Sequence, residues 1–263
     1  MIGLERSDHE ALLAFVTGKS PAYLRAHANE PLESEVVARF HKLAARRQGG
    51  EPLAYIIGTA GFYRREFVVD ARVLIPRPET EHLVEEAIAF LRSREQPRVL
   101  DVGTGSGAIA LTIAAEVPQA RVDAVDASPE ALVVAIENRH RLGLLDRQVA
   151  FYLGDLLEPV ARKHYDAIVA NLPYVPDGEG DAALRFEPAI ALYGGADGLD
   201  FYRRFFERVP PMLNPGGLLL AEGAPPVAEG LFALAQAAFP QAAVTLEQDY
   251  GDRERFVKVE TPG

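Results

Sequence analysis

The sequence lacks cysteine, a long apolar run and a leader-like start. None of its 263 residues is cysteine, so disulfide bonds, cysteine-bound zinc and thiol catalysis are excluded. No apolar run approaches the roughly 20 residues that a membrane-spanning helix requires. Glu5, Asp8 and Glu10 interrupt any apolar core of a signal peptide. These absences predict a cytoplasmic protein with no membrane-bound part.

Basic residues are also scarce. The chain has 27 lysines and arginines against 38 acidic residues, a net charge of −11. Residues 1–50 hold six acidic and seven basic side chains, so residues 51–263 carry −12. A protein that binds duplex DNA normally has a basic footprint. The composition therefore argues against a nucleic-acid partner, although a local basic stripe can exist within an acidic total.

The first 50 residues have a helical pattern. Apolar residues such as Val36, Val37, Phe40 and Leu43 recur at helical spacing between charged residues, and Gly49-Gly50 is a plausible stop. Residues 1–50 are therefore predicted to form a small helical domain. It is either a cap on the main domain or a docking module for a macromolecular substrate, and spacing does not choose between these.

Residues 51–78 have a different character, with apolar residues among glycines, which predicts a hairpin that joins two units. The segment ends in Ile75-Pro-Arg-Pro-Glu-Thr-Glu81. Its two prolines predict a stiff extended stretch that a helix follows. We expect Arg77 and Glu79 to brace this segment rather than to contact a ligand.

Strands and helices alternate from residue 97, which predicts a doubly wound α/β fold with a mostly parallel sheet over residues 79–263. Ser128-Pro129 is a typical helix start, and Leu132, Val133 and Ile136 are expected to form the apolar face of that helix. Seven strands are predicted, at residues 98–102, 121–125, 149–153, 165–170, 217–221, 243–247 and 256–259.

A glycine-rich turn follows the first of these strands, in Asp101-Val-Gly-Thr-Gly-Ser-Gly107. Glycines let the backbone turn tightly and let a ligand approach closely. Gly103, Thr104, Gly105, Ser106 and Gly107 are therefore candidate residues for a nucleotide-type ligand. The pattern is shared with dinucleotide-binding proteins and is not specific, and a purely structural turn is the alternative.

Two acidic residues follow later strands. Asp126 closes the second strand, about 20 residues beyond the glycines, where a carboxylate can accept hydrogen bonds from ribose hydroxyls. Asp155 follows the third strand, where it could bind an adenine amino group while Leu156 packs on the ring; a generic strand-end aspartate is nearly as good an interpretation. A nicotinamide enzyme would use the same glycines, but none of the six histidines follows the carboxyl end of a strand.

The turn Asn171-Leu-Pro-Tyr174 follows the apolar run 165–170 and discriminates between these classes. Asn171 Oδ1 and the Leu172 carbonyl can accept the two N–H bonds of a planar NH2 group, while the Tyr174 face stacks on it. Such acceptors would raise electron density on a weakly nucleophilic nitrogen and orient it for alkylation. Hydride transfer requires no such turn. Asn171 and Tyr174 are the predicted catalytic residues, and residues 171–174 the predicted substrate site.

With these motifs assembled, the chain resembles the HemK/PrmC family of N5-glutamine methyltransferases that modify peptide chain release factors. The resemblance covers most of the chain, and its most specific part is the Pro-Arg-Pro-Glu-Thr-Glu segment followed by an Asn-x-Pro-Tyr turn. The matching motifs are residues 51–58, 73–81, 101–111, 171–174, 186–188, 194–202 and 214–217. In the family the turn is usually Asn-Pro-Pro-Tyr. Leu172 replaces the first proline here, which removes a fixed φ and adds an N–H that needs a partner.

The resemblance implies a Rossmann-like class I methyltransferase domain that uses S-adenosyl-L-methionine and releases S-adenosyl-L-homocysteine. Gly103–Gly107, Asp126, Asp155, Leu156 and Asn171 would contact this methyl donor. Residues 171–174 would bind the glutamine of a Gly-Gly-Gln tripeptide in class 1 release factors, which the N-terminal helices would dock.

Two rival functions remain open at this stage. A methyltransferase for adenine N6 or cytosine N4 would use the same turn, but it must extract its base and should carry a basic channel, which the net charge of residues 51–263 disfavours. A non-catalytic protein that binds the donor or a partner is the second rival.

Overall fold

The computed structural model of the protein describes residues 4–180 and 182–263. These residues form two compact units, residues 4–59 with 182–186, and residues 60–180 with 187–263. Among the described residues, no helix is both long and apolar enough to cross a membrane.

The smaller unit is helical, as its pattern predicts. Leu12, Val16, Phe40 and Leu43 lie in its buried apolar cluster, while Val37 is 37% exposed and stays outside it. The helices are α1 (Arg6–Thr17), α2 (Pro21–Ala26), α3 (Ser34–Gln48) and α4 (Leu53–Ile57).

The rest of the described chain alternates strands and helices. Its elements are β1 (Thr59–Phe62), β2 (Arg65–Val68), α5 (Glu79–Leu91), β3 (Arg98–Val102), α6 (Ala108–Glu116), β4 (Arg121–Asp126), α7 (Pro129–Arg141), β5 (Val149–Leu153), β6 (Tyr165–Ala170), α8 (Asp200–Phe206), β7 (Leu213–Glu222), α9 (Pro225–Ala238), β8 (Ala243–Gln248) and β9 (Glu254–Glu260).

The main sheet has seven strands in the order β5-β4-β3-β6-β7-β9-β8. Strands β3, β4, β5, β6 and β7 pair in parallel, and β9 pairs antiparallel with β7 and β8. The chain order reverses between β3 and β6, and ligands of open α/β sheets bind at such a switch point, beyond the carboxyl ends of the strands. The glycine turn after β3 and the turn after β6 therefore meet there. The predicted α/β fold is confirmed.

Side chains of the central strands alternate between two buried clusters, one on each face of the sheet. Ala167 and Val169 of β6 face the cluster built with α5 and α6. Ile168 and Ala170 face the cluster built with α8 and α9. Continued by one residue, this alternation directs Asn171 toward the α5 face.

The segment between the helical unit and the main sheet differs in part from the prediction. Strands β1 and β2 form the expected hairpin, and Phe62 and Phe67 are buried. The residues before it form helix α4, and the apolar residues at 73–75 form no strand. Val73 and Leu74 instead line a cavity, a role that an apolar pattern does not distinguish from strand formation.

The predicted apolar face of α7 is wrong in part. Leu132 is buried, but Val133 and Ile136 are 54% and 38% exposed. The buried stripe instead contains Asn138, whose side chain bonds the Val68 backbone at 2.6 and 3.0 Å and the Ser106 carbonyl at 2.9 Å. A polar residue on the buried face concealed the true helical stripe from a hydrophobicity pattern.

Candidate active site

The glycine turn is shaped by left-handed backbone at Gly103, Gly105 and Gly107. A Cβ atom at Gly103 would lie 3.2 Å from the Asn171 carbonyl oxygen, and it would occupy backbone that side chains rarely adopt. Gly103 therefore lets the turns after β3 and β6 approach each other closely. The loop leads directly into α6, whose first residue is Ala108.

Asp101 anchors this turn from inside the sheet. Its Oδ2 atom accepts bonds from Thr104 Oγ1 at 2.6 Å and from the Ala110 N–H at 3.2 Å. Its Oδ1 atom is buried and has no partner among the described residues. Burial raises the pKa of Asp101 to about 7 against the lowering effect of those two bonds, and the charge of Asp126 adds to the increase. The sequence reasoning did not single out this residue.

Asp126 lies at the end of β4, as predicted, and is tied to the glycine turn. Its Oδ2 accepts the Gly105 N–H and its Oδ1 accepts the Ser128 N–H, both at 2.8 Å. Burial raises the pKa of Asp126, opposed by these backbone bonds. A carboxylate has about four acceptor positions, so two remain for ligand hydroxyls. Ser128 also caps α7, accepting the Ala131 N–H at 3.1 Å.

A cavity of about 320 Å³ lies over the switch point. Its walls combine apolar side chains with a few polar groups, as small-molecule sites generally do. The lining residues are Arg72, Val73, Leu74, Val102, Gly103, Gly105, Val125, Asp126, Ala127, Ser128, Ala131, Gly154, Asp155, Leu156, Asn171, Leu172, Pro173, Pro188, Ile190, Ala191 and Phe201. Thr104 and Ser106 line a smaller adjoining recess with Thr80 and Asn171. The predicted donor and substrate residues therefore lie around these two spaces, except that Gly107 and Tyr174 line neither of them.

Asp155 and Leu156 lie at the cavity wall, but Asp155 already has a partner. Its carboxylate forms an ion pair with Arg204 on α8, and its side chain is 41% exposed. Leu156 adopts a left-handed φ of 49°. The role of Asp155 toward an adenine amino group stays a prediction.

The Asn171–Tyr174 turn is held on several sides. Asn171 Nδ2 donates to Thr80 Oγ1 at 3.4 Å, and burial raises the pKa of Tyr174. A Cβ atom at Gly194 would lie 2.4 Å from the Pro173 carbonyl oxygen, and one at Gly198 would lie 2.2 Å from that of Tyr174. Glycines in the 194–202 motif therefore allow the backbone to pack against the turn.

Leu172 has the hydrogen-bond partner that its extra N–H requires. Leu172 is 3% exposed, and its N–H donates to the hydroxyl of buried Tyr202 at 3.1 Å. The same hydroxyl donates to the Glu222 carbonyl oxygen. Tyr202 therefore satisfies the donor that proline would not have, and it joins the turn after β6 to the end of β7.

The Pro-Arg-Pro segment is braced by Glu187, in agreement with the prediction for Arg77. Glu187 Oε1 accepts from Arg77 Nη2 at 2.5 Å, and its Oε2 accepts the Ile75 N–H at 3.0 Å. Glu79 forms a 3.4 Å ion pair with Arg253. These contacts hold the segment in place. It contains Leu74, which lines the cavity, and Thr80, which lines the smaller recess.

Sequence reasoning missed several residues of this site. Arg72 and Ile190 line the cavity from segments that carry no motif, and Phe201 lines it from within the 194–202 motif, where the sequence assigned it no role. Glu222 ends β7 and is 1% exposed. A usable signal was present for Glu222, because it follows an apolar run at the carboxyl end of a strand, as Asn171 does. In residues 4–180 and 182–263, no cluster of histidine and acidic side chains could hold a metal ion.

The residues present fit S-adenosylmethionine. The close glycine approach, the carboxylate at the end of β4 and the mostly apolar cavity match a ligand with a ribose and a flat ring. The fold and site together define a class I S-adenosylmethionine-dependent methyltransferase.

Comparisons with known proteins define the class further. The family model for the PrmC N-terminal domain matches residues 1–58, and that for the Methyltransferase small domain matches residues 81–186. The release factor glutamine methyltransferase of Xylella fastidiosa (strain 9a5c) is 40% identical over 265 residues, which cover 99% of this chain and 94% of the relative. That of Bordetella pertussis is 45% identical over 224 residues, covering 84% and 82%.

A solved methyltransferase from Pyrococcus furiosus shares the fold, with a TM-score of 0.58 at 16% identity over 83% of this chain and 98% of that one. The two sequence relatives are at least 40% identical over 82% or more of their own length, which decides the family. The chain belongs to the release factor glutamine methyltransferases.

Proposed function

We propose that the protein transfers the methyl group of S-adenosylmethionine to the N5 nitrogen of the glutamine in the Gly-Gly-Gln motif of class 1 peptide chain release factors. The observation that carries the proposal is that Asn171, Leu172 and Pro173, the first three residues of the Asn171–Tyr174 turn, line the donor cavity. Family membership at 40–45% identity supports the same substrate. The reaction would occur in the cytoplasm, where such a substrate is used.

The donor would lie along the switch point. The glycine turn would pass by its methionine part, Asp126 would accept from its ribose hydroxyls, and Leu156 would pack near the adenine. Bound S-adenosylmethionine supplies an electrophilic methyl group on a sulfonium.

Asn171 and its neighbours would prepare the acceptor nitrogen. An amide nitrogen is a poor nucleophile because its lone pair is delocalised into the carbonyl. Asn171 Nδ2 faces Thr80, so Oδ1, on the other branch of the amide, is directed away from Thr80. Oδ1 and the Leu172 carbonyl would accept the two N–H bonds of the glutamine, which favours the positive charge that develops on nitrogen. Tyr174 would hold the amide plane, and orientation would supply much of the rate.

The helical residues 1–50 would dock the release factor. Their net charge is +1, whereas residues 51–263 carry −12. The net charge of −12 over residues 51–263 disfavours a nucleobase substrate, because single-stranded nucleic acid is held by positively charged grooves.

Mass spectrometry of a co-expressed class 1 release factor tests the proposal. The expected product carries one added methyl group on the Gly-Gly-Gln glutamine, and a release factor with alanine at that glutamine should remain unmodified. Asn171→Ala should abolish most transfer while donor binding persists. Labelled donor that appears only in DNA in a parallel assay would overturn the substrate assignment.

A further inference from the structure

The buried carboxylate of Glu222 has no role in the reaction described above. Glu222 is 1% exposed, and neither carboxylate oxygen has a partner at ordinary hydrogen-bond geometry among the described residues. An unpaired buried carboxylate is costly. A group with this cost on the strand beside Asn171, which lines the ligand cavity, invites a functional explanation.

The sheet places Glu222 beside Asn171. Ala170 and Ala221 are in register on the parallel strands β6 and β7, so Asn171 and Glu222 occupy the next positions along neighbouring strands. Residues one step earlier, Ala170 and Ala221, face the α8–α9 cluster. The alternation of side chains therefore turns Asn171 and Glu222 toward the opposite face, where α5 packs.

Thr80, in the first turn of α5, lies between these two side chains. It is 4% exposed, and its hydroxyl oxygen accepts from Asn171 Nδ2. The hydroxyl hydrogen then requires an acceptor. The Thr80 hydroxyl and the Asn171 amide both lie near enough to lower the pKa of Glu222, although burial is the larger effect and raises this pKa to about 7.

We infer that Thr80 and Glu222 are positioning residues that hold the Asn171 amide in one of its two orientations, with Nδ2 inward and Oδ1 toward the acceptor glutamine. The inference rests on the proposed function for its kinetic consequence. The Asn171 side chain alone cannot set this orientation, because its oxygen and nitrogen branches have nearly the same shape.

The direction of the hydrogen bonds follows from the carboxylate. An ionised Glu222 only accepts hydrogen bonds, so a hydrogen bond that forms between the two must run from the Thr80 hydroxyl to Glu222, and Thr80 then accepts from Asn171. A protonated Glu222 can donate to Thr80, which frees the Thr80 hydroxyl to donate to a flipped Asn171 Oδ1. The productive orientation is therefore enforced only while Glu222 is ionised.

Other charged and titratable groups surround Glu222. Arg255 on β9 lowers its pKa, and Glu79 at the start of α5 raises it. Arg255 is itself engaged with Asp249 at 3.0 Å. Tyr174 and Tyr202 also face Glu222, and its charge raises the pKa of each, after burial. Both phenols stay neutral at physiological pH, which leaves Glu222 as the group of this cluster that titrates near pH 7.

Thr80→Val and Thr80→Ser form a matched pair for the test. Valine keeps the shape of threonine without the hydroxyl, whereas serine keeps the hydroxyl. In a labelled-donor assay with release factor, Thr80→Val should lower kcat by about 10- to 100-fold, as expected for a misoriented reacting group. Thr80→Ser should retain most of the turnover, and the Kd for S-adenosylmethionine by calorimetry should be similar in both. Equal kcat losses in the two variants would indicate packing and overturn the inference.

The pH profile separates orientation from folding. The kcat of the wild type should rise through pH 7, and Glu222→Gln should be flat at the low level of the wild-type acid limb. A Glu222→Gln profile that keeps the inflection would overturn the inference. Circular dichroism checks that each variant is folded.

Nuclear magnetic resonance of the Asn171 side-chain amide gives a readout that needs no substrate. Its Nδ2 signals, assigned by their loss in Asn171→Ala, should titrate near pH 7 in the wild type and stop doing so in Glu222→Gln. If this titration occurs but the wild type does not methylate release factor, the proposed substrate fails and the positioning network stands. If methylation occurs without the titration, the network fails and the function stands.

Discussion

The hydroxyl of Tyr202 satisfies a buried donor in the active-site turn, and Tyr202→Phe should therefore destabilise the protein. Tyr202 is fully buried, and its hydroxyl accepts the Leu172 N–H at 3.1 Å while it donates to the Glu222 carbonyl oxygen. Phenylalanine keeps the ring and removes both interactions. The perturbation is thus confined to one oxygen atom.

The expected magnitude follows from the two lost bonds. A buried N–H left without a partner costs about 1–3 kcal/mol, and a lost ordinary hydrogen bond costs about 0.5–1.5 kcal/mol. The free energy of unfolding should fall by roughly 2–4 kcal/mol in urea denaturation followed by circular dichroism. For a protein of this size, that corresponds to a decrease in Tm of roughly 4–16 °C.

A double-mutant cycle with Leu172→Pro tests the reason for this loss. Proline has no N–H, so Tyr202→Phe should cost about 1–3 kcal/mol less in the Leu172→Pro background than in the wild type. Tyr165→Phe is the control, because Tyr165 is equally buried but bonds Asp123 at 2.8 Å, at the far end of β6. Tyr165→Phe and Leu172→Pro should be additive. Additivity of Tyr202→Phe with Leu172→Pro, within about 0.5 kcal/mol, would refute the assignment.

Three further variants probe the walls of the site. The raised pKa of Asp101, about 7, means that the unfolded chain releases this proton near pH 4 while the folded chain keeps it. Through Asp101 the stability should therefore fall between pH 4 and pH 7 by up to about 1.4 kcal/mol per pH unit. Asp101→Asn should make the slope in denaturation curves less steep, while Glu222, whose pKa is also about 7, keeps its own contribution of the same sign; an unchanged slope would contradict the shift. Gly103→Ala should weaken calorimetric binding of S-adenosylmethionine at least about tenfold, because left-handed strain is combined with a Cβ 3.2 Å from a backbone carbonyl. Gly143→Ala, with similar φ and nothing within 4 Å, should leave that affinity unchanged, and equal affinities in the two variants would contradict the close approach. Glu187→Gln should weaken the same binding by loosening Arg77, which lines the smaller recess beside the cavity, and a wild-type Kd would show that the brace is dispensable.

The fold could be predicted from the sequence because its signals are local. Strands β3, β5 and β6 begin and end where their apolar runs do, at 98–102, 149–153 and 165–170. Strand β7 was harder, since it extends from Leu213 to Glu222 and so includes an asparagine, a proline and two glycines at its start. A polar residue at a strand end, such as Glu222, is read from sequence as the start of a loop.

Site residues could be predicted from the sequence only where their position at the end of an apolar strand marks them. Asn171 and Asp126 each follow an apolar strand, and the sheet topology brings such residues together at one edge. Residues that act through another residue have no such position relative to a strand, so the sequence does not identify them. Tyr202 lies in a helix 30 positions from the N–H that it satisfies, and Arg72 lies in a loop whose contact with the cavity depends on the tertiary fold.

The Pro-Arg-Pro-Glu-Thr-Glu segment illustrates how sequence and structure together assign a role to a residue. Its prolines predict a stiff approach to α5, and the resemblance marks it as specific to the family, but neither assigns a task to its threonine. The structure places Thr80 within 3.4 Å of Asn171, 91 positions away in sequence. The stiffness of the segment then matters for the site, because the Thr80 hydroxyl can orient the Asn171 amide only if the backbone that carries Thr80 is fixed. Arg77, held by Glu187 at 2.5 Å, supplies that fixation three residues before Thr80. On this reasoning, a loosened Arg77 brace should impair the orientation of Asn171 as well as donor binding, and the two effects should appear together in Glu187→Gln.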